Sequence, residues 1–449
     1  MAHIDALAGP SVETQPLLRS SSASGTAQAA PERDSTTLSR ASCSNESNAR
    51  EYRSIAFALS AAMLAFLVNG MVIASLGVMV PYMQQDYDLS DIQVSAIFLA
   101  GPAGYCLSAL TSDYIHGRFG RRAIAAVGPL CILIFAVAAA AARKQFQVLI
   151  LATALGGFGG GLLDVSLCAW AGAMEYANTR SGLLHGAFSV GAAIGPFLAG
   201  ILVSSDHTPW YTWYYVLAGA AALAGVVLLP VFRKDTGAKY REAQRAHESY
   251  VETESTGSAL AYPSTWLFAL FMLADNGGES TMSNWVVSFM IRIRGATPLL
   301  SSICSSGFWG GMAVGRLVLG VVTDRLGAPL AVSIYLLLAL AVSGIFAVVQ
   351  NHYLSVGLSM VLGFFFGPLF PSCIVQVIQS LPAGLHVPAV SFVASIGQVG
   401  VAILPYGLGA ITHTFGLVAF QYIMMAEVAS ALLIWLVSLK VSASQLKRP

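Results

Sequence analysis

The chain has 449 residues, 56% of them hydrophobic and only 10% charged, with a net charge of +1. A soluble domain carries about 25% charged residues, so this composition excludes a protein that covers itself in water and makes lipid the expected solvent. The near-neutral balance also argues against nucleic acid as a partner.

Residues 1–54 are rich in Ser, Ala, Thr and Gln and poor in aromatics, which predicts a disordered tail. They contain no apolar h-region, so no cleavable signal peptide is expected. Twelve apolar segments follow, each close to the roughly 20 residues that a spanning helix needs. They lie near 55–80, 92–113, 123–142, 146–171, 183–204, 210–232, 263–290, 298–322, 328–349, 353–378, 387–412 and 416–439. A polar stretch at 233–262, holding Arg233, Lys234, Lys239, Arg241 and Arg245, separates the sixth from the seventh. The expected organisation is a tail 1–54, a six-helix bundle 55–232, a linker 233–262, a second bundle 263–440 and a short tail 441–449. Six cysteines are scattered, mostly within apolar segments, with neither disulfide-like nor metal-like spacing, and read as small core residues.

The two halves repeat one another. Gly157-Phe-x-x-Gly returns as Gly363-Phe-x-x-Gly, Arg118-Phe-Gly120 as Arg325-Leu-Gly327, and the Gly191–Pro196–Gly200 run as Gly400–Pro405–Gly409. The offsets are 206, 207 and 209 residues, which points to a duplicated module. The expected fold class is an all-α membrane protein with twelve transmembrane helices in two pseudo-symmetric six-helix bundles, the build of transporters that alternate access around a midplane site. With the N-terminus in the cytosol, the cytosolic segments counted from Arg40 hold 16 Lys/Arg and the outer loops 4, so both termini are expected to be cytosolic. The sequon at Asn45 would then stay unglycosylated.

Charges inside the apolar segments need explaining, because one at the bilayer centre costs about 2.5–3.5 kcal/mol even on the lenient insertion scale. Asp164 follows a run of glycines in the fourth segment, where a carboxylate facing a wet cavity could take up and release a proton. Asp275 and Glu279 share one face of the seventh, with Gly277-Gly278 between them suggesting an unwound point, and Asn284-Trp285 follow. Glu279, nearer mid-membrane, is the second proton-coupling candidate. Asn69, Asp275, Asn284, Trp285 and Gln398 are the candidate substrate-binding residues. Arg316 in the eighth segment either pairs with an acid across the bundle or snorkels, and Glu427 in the twelfth reads as structurally paired. Trp170, Trp309, Tyr105 and Tyr406 read as packing or interface anchors. Arg118, Gly120 and Arg121, with their counterparts Gly320, Asp324 and Arg325, form tight basic turns that Arg–carboxylate contacts would pin, with Glu175 and Arg180 as possible partners. These seven residues, Arg180 apart, are the candidate gate. No cofactor or metal ligand set appears, and no nucleophile–base set that would make an enzyme.

The motif Gly-x-x-x-Asp-Arg-x-Gly after the second helix of a half resembles the loop signature of the major facilitator superfamily. Gly320, Asp324, Arg325 and Gly327 carry it in the second copy, which departs with Ala328-Pro329 in place of a basic pair. The first copy keeps Arg118, Gly120, Arg121 and Arg122, but has Gly117 at the Asp position and Asp113 at the leading Gly. Within that superfamily, Leu183-Leu-His185, Glu279-x-x-x-x-x-Trp285 and Gly315-Arg316 resemble the fucose permease-like branch, especially its fungal members. The resemblance implies a cavity lined chiefly by helices 1, 4, 7 and 10, rocker-type alternating access and sugar/proton symport. In the bacterial symporters of this group helices 1 and 4 each carry an acid. Asp164 matches the helix 4 position, whereas Gly77 stands at the helix 1 position and Cys168 where an Asn follows. Those departures weaken the case for fucose and leave proton coupling resting on Asp164 and Glu279.

Glu13-Thr-Gln-Pro-Leu17-Leu18 is similar to acidic dileucine signals, which sorting adaptors read; it gives a vacuolar or endosomal membrane a slight edge over the plasma membrane. The expected function is a monomeric secondary transporter moving a small polar solute, with protons as the coupling ion. The rivals are a non-transporting nutrient sensor of the same fold and an exporter of amphipathic compounds.

Overall fold

The fold is given by a computed structural model that describes residues 35–142, 145–174, 177–205, 208–242, 259–382 and 385–445. The chain divides into two units between Arg53 and Ser54, and the spans described below belong to the second. The first described helix is Ser35–Tyr87, so helix rather than disorder occupies the tail from residue 35. Extending a helix already nucleated by an apolar span costs far less than starting one, which is how so polar a stretch can be helical. Residues 1–34 lie outside the described residues, and with them Glu13, Leu17 and Leu18.

Eleven described helices are long and apolar enough to cross a membrane. The first six are Arg53–Tyr87, Asp91–Phe119, Arg121–Ala141, Phe146–Gly172, Thr179–Val203 and Thr212–Phe232. The eighth to twelfth are Pro298–Leu326, Ala328–Val348, His352–Gln379, Pro388–Phe415 and Ala419–Gln445. The expected seventh span is present as Pro263–Arg292, 30 residues long, but Asp275, Asn276, Glu279, Ser280, Thr281, Ser283 and Asn284 make it too polar to qualify. Its residues from Thr281 to Met290 are all buried, so protein rather than lipid surrounds it there.

The repeated glycines mark the same helix crossings in both halves. Spans 2 and 4 touch where Gly157 lies on the Gly101 carbonyl; spans 8 and 10 touch where Gly363 lies on the Phe308 carbonyl, and a side chain at either glycine would collide. Spans 1 and 5 cross at Gly191 on the Leu67 carbonyl, and spans 7 and 11 at Gly400 on the Leu273 carbonyl. Small residues admit such backbone approach, and in lipid that packing is what holds helices together. The basic turns match as well: Gly120 and Gly327 have φ of 80° and 81°, and each precedes the next helix directly.

Prolines shape the second half. Pro405 lacks an N–H, so the Val401 carbonyl one turn earlier loses its helical donor, and the Ser280 hydroxyl of span 7 donates to it at 3.0 Å. Trp285 donates to the Pro405 carbonyl at 2.9 Å. Gly367-Pro368 divides span 10 into helices His352–Phe366 and Leu369–Gln379. Span 7 itself is unbroken, contrary to the unwinding expected at Gly277-Gly278. Gly277 instead accommodates Leu404 and the Gly400 carbonyl, and Gly278 faces the Glu427 carboxylate and Phe366. The glycine pair serves close packing, which keeps the helix whole.

The halves meet tightly at one end of the bundle. There Gly77 of span 1 lies on the backbone of Ser283 and Asn284, Gly200 on Ser302, and Gly409 on Ser95. Arg292 pairs with Asp91 at 2.6 Å across the same end, and Gln84 donates to Asp91 at 2.6 Å. Towards the opposite end, marked by Gly120 and Gly327, the Arg316–Ser189 hydrogen bond is the last described one to join residues 54–232 to residues 263–445, and beyond it no described hydrogen bond or ion pair does so. The stretch after span 6 folds there onto the first basic turn. Asp235 pairs with Arg121 at 2.9 Å and accepts the Arg122 N–H at 3.1 Å, Arg241 donates to the Gly117 carbonyl, and Tyr240 stacks on His116 at 5.0 Å.

Candidate functional site

The interior polar groups gather in two clusters with Arg316 between them. On the first half, Asp164 of span 4 is half-buried, and the Tyr105 hydroxyl of span 2 donates to its Oδ2 at 2.6 Å. Cys168, one turn later, has its Sγ 3.7 Å from Asp164 Oδ1 and 3.8 Å from His185 Nε2 of span 5. His185 is exposed although it lies within the span, and its ring stands edge-on to Phe66 of span 1 at 5.7 Å. The carboxylate thus takes one donor on each oxygen, from spans 2 and 4, with His185 and Phe66 of spans 5 and 1 further out, and no described ion pair involves it.

On the second half the cluster is acceptor-rich. Asp275 is 1% exposed, and neither of its oxygens finds a protein partner. Glu279 Oε1 and Asn284 Oδ1 are likewise buried without a partner. Asn284 Nδ2 donates to Ser280 Oγ at 3.1 Å, and Thr281 donates to Glu427 Oε1 at 3.3 Å. Glu427 thus has a hydroxyl from span 7 rather than a cation as its partner.

Arg316 spans the gap between the halves. Its Nη1 donates to Ser189 Oγ of span 5 at 2.6 Å, its Nε to the Gly367 carbonyl at the break in span 10 at 3.3 Å, and its Nη2 to Met312 Sδ at 3.2 Å. Its charge reaches His185 on one side and Asp275 and Glu279 on the other. It neither snorkels nor forms an ion pair with a described acid.

The remaining expected residues divide clearly. Asn69 is half-buried against Gly160, where a side chain would meet its Oδ1. Gln398 is half-buried in span 11. Trp285 is fully buried, with its N–H used by Pro405 and its ring 5.8 Å from Phe98, so it has no surface left for a solute in this conformation. It couples spans 7 and 11 instead. Trp309 donates to Ser283 at 3.0 Å and Trp170 stands edge-on to Phe232 at 5.3 Å, both as packing residues. Among the gate candidates, Arg121 pairs with Asp235, Arg118 lies over Phe119, and Asp324 and Arg325 are exposed without a described ion pair. Glu175 lies outside the described residues. Of the cysteines described, Cys131, Cys304 and Cys373 are buried, Cys168 is half-buried beside Asp164 and Cys106 is exposed.

Sequence reasoning missed Tyr105 as a partner of Asp164, Ser189 as a partner of Arg316, and the pairs Arg292–Asp91 and Arg121–Asp235. Asp91 and Arg292 carried a faint signal, each being a charge at the lip of an apolar segment, but nothing local connects them.

Comparison with known proteins agrees with this geometry. Residues 62–302, over half of the chain, match the model of the Major Facilitator Superfamily. Bypass of stop codon protein 6 of Saccharomyces cerevisiae is 29% identical over 393 residues, covering 81% of this chain and 78% of the yeast protein. The glucose/mannose transporter GlcP of Bacillus subtilis is 23% identical over 352 residues, covering 74% and 84%. The fold is also that of a bacterial homologue of the human lysosomal transporter Spinster, solved in an inward-facing and unoccupied conformation. The TM-score is 0.71 at 11% identity, covering 87% of this chain and 98% of the other. A duplicated glycine framework, twelve membrane-length helices and a polar midline between two halves therefore have one family explanation: the chain belongs to the Major Facilitator Superfamily.

Proposed function

We propose that this protein is a secondary transporter that moves a small polar solute of the sugar and organic-solute kind by alternating access, with proton coupling at Asp164 and Glu279. One observation carries the reading: an ion pair ties the halves together at the Asp91–Arg292 end, while at the other end Asp324 and Arg325 are exposed with no partner among the described residues. A cleft closed on one side and open on the other, with unpaired carboxyls at mid-depth, is what alternating access needs. The excess of Lys/Arg at the Gly120 and Gly327 end supports a cytosolic side there, and with it the reading of this conformation as inward-open. The Glu279–Trp285 spacing, Leu183-Leu-His185 and Gly315-Arg316 favour the fucose permease-like branch and its fungal members, and the yeast relative fits that choice. The name of the Bacillus relative favours a hexose-like solute.

Asp164→Asn tests the coupling. The variant should lose proton-driven accumulation in reconstituted vesicles while retaining exchange of solute across the membrane, because an amide still accepts the Tyr105 hydrogen bond but cannot carry a proton. A pH dependence identical to wild type would remove Asp164 from coupling. Binding without flux in the wild-type protein would favour a sensor. The dileucine motif supports a vacuolar or endosomal address: Leu17→Ala with Leu18→Ala should move a fluorescently tagged protein to the cell surface, and an unmoved protein would dismiss the signal.

A further inference from the structure

Arg316 is a charge inside a membrane bundle with three neutral partners, a hydroxyl, a carbonyl and a thioether. A guanidinium has five N–H groups. The three contacts use one on each nitrogen, which leaves one on Nη1 and one on Nη2. Those two are the donors that a bidentate carboxylate takes. The span 7 cluster has the opposite shortage: Asp275, Glu279 and Asn284 have oxygens with no described donor, enclosed in this conformation and open to a solute only when the helices around span 7 part. A buried acceptor left unpaired costs about 1–3 kcal/mol, so a solute that brings hydroxyl donors to this face is stabilised there. A solute matching both faces has hydroxyls at one end and a carboxylate at the other. One guanidinium neutralises one negative charge; a dianionic phosphate would leave a second charge uncompensated in the bundle.

We propose that Arg316 recognises an anionic group of the transported solute, and that the solute class is a hydroxylated carboxylic acid, a sugar acid in kind, in preference to the neutral sugar. This rests on the transport reading above and narrows it.

The test uses the full-length protein in proteoliposomes, with D-glucuronate and D-glucose as competing probes in exchange and in thermal stabilisation. Wild type should take D-glucuronate at least ten-fold more tightly than D-glucose. Arg316→Gln should lose that preference by ten-fold or more, with D-glucuronate weakened far more than D-glucose. Arg316→Lys, which keeps the charge but not the fork, should keep the preference at lower affinity, and it carries the test if Arg316→Gln does not fold. Equal affinity for the two probes in wild type, binding of neither, or equal losses for both in Arg316→Gln would overturn the proposal. Exchange of D-glucose without acid preference overturns the proposal alone and leaves transport standing. Binding of D-glucuronate with no flux of either probe overturns the transport reading and leaves the recognition role of Arg316 standing.

Discussion

Gly157 and Gly363 each place a bare Cα against the carbonyl of a neighbouring helix, Gly101 in one half and Phe308 in the other. Because the obstructing atom is backbone, no rotamer change can make room for a methyl group. Gly157→Ala and Gly363→Ala should therefore each destabilise the protein by about 1–3 kcal/mol, read as a lower midpoint of thermal unfolding in detergent. Gly219 of span 6 has nothing within 4 Å of a built side chain and is the control. Gly219→Ala should be neutral or stabilise by up to about 1 kcal/mol, since alanine favours the helix. If all three variants melted alike, the glycine repeat would be a matter of composition rather than of helix crossing. At the same scale Asp164 and Asp275 show how differently two interior acids are treated. Asp164 has a hydroxyl on one oxygen and a thiol near the other, whereas Asp275 has neither.

Between elements, two latches act at opposite ends. Asp91, 8% exposed, begins the second span and holds Arg292 at the end of the seventh, so that ion pair ties the halves together. Arg292→Gln should open that end several-fold more often. A cysteine introduced at Ser95, which is fully buried against Gly409, would report it by faster reaction with an aqueous thiol reagent in a background without native cysteines. Exchanging the charges, Asp91→Arg with Arg292→Asp, should restore protection, and failure to do so would assign the closure to apolar packing alone. The latch at the other end lies within one half. Asp235 and Tyr240 of the linker clasp the first basic turn through Arg121 and His116, while the second basic turn, with Asp324 and Arg325, is left exposed. The two copies of the turn thus share a backbone shape at Gly120 and Gly327 but differ in what covers them.

For the whole molecule, the amino-acid sequence alone determined the spans and the duplication. In lipid every backbone donor and acceptor must be satisfied within its own segment, so an apolar stretch of the right length becomes a helix whatever surrounds it. Only the seventh span strained that rule, because the residues that make it too polar are those that face the other helices. The acids of the candidate site were legible for the same reason, as charges that lipid would not tolerate. Their partners were not. Tyr105 meets Asp164 across 59 residues, Arg121 meets Asp235 across 114, and Arg316 meets Ser189 across 127. Such meetings depend on how each helix is rotated and where glycines let two helices cross, which no local pattern records. Tertiary structure likewise decided that Gly277-Gly278 packs rather than unwinds, that Trp285 is enclosed, and which end of the cleft is shut. A sequence fixes what each helix must hide, and only the packed bundle decides what it is hidden against.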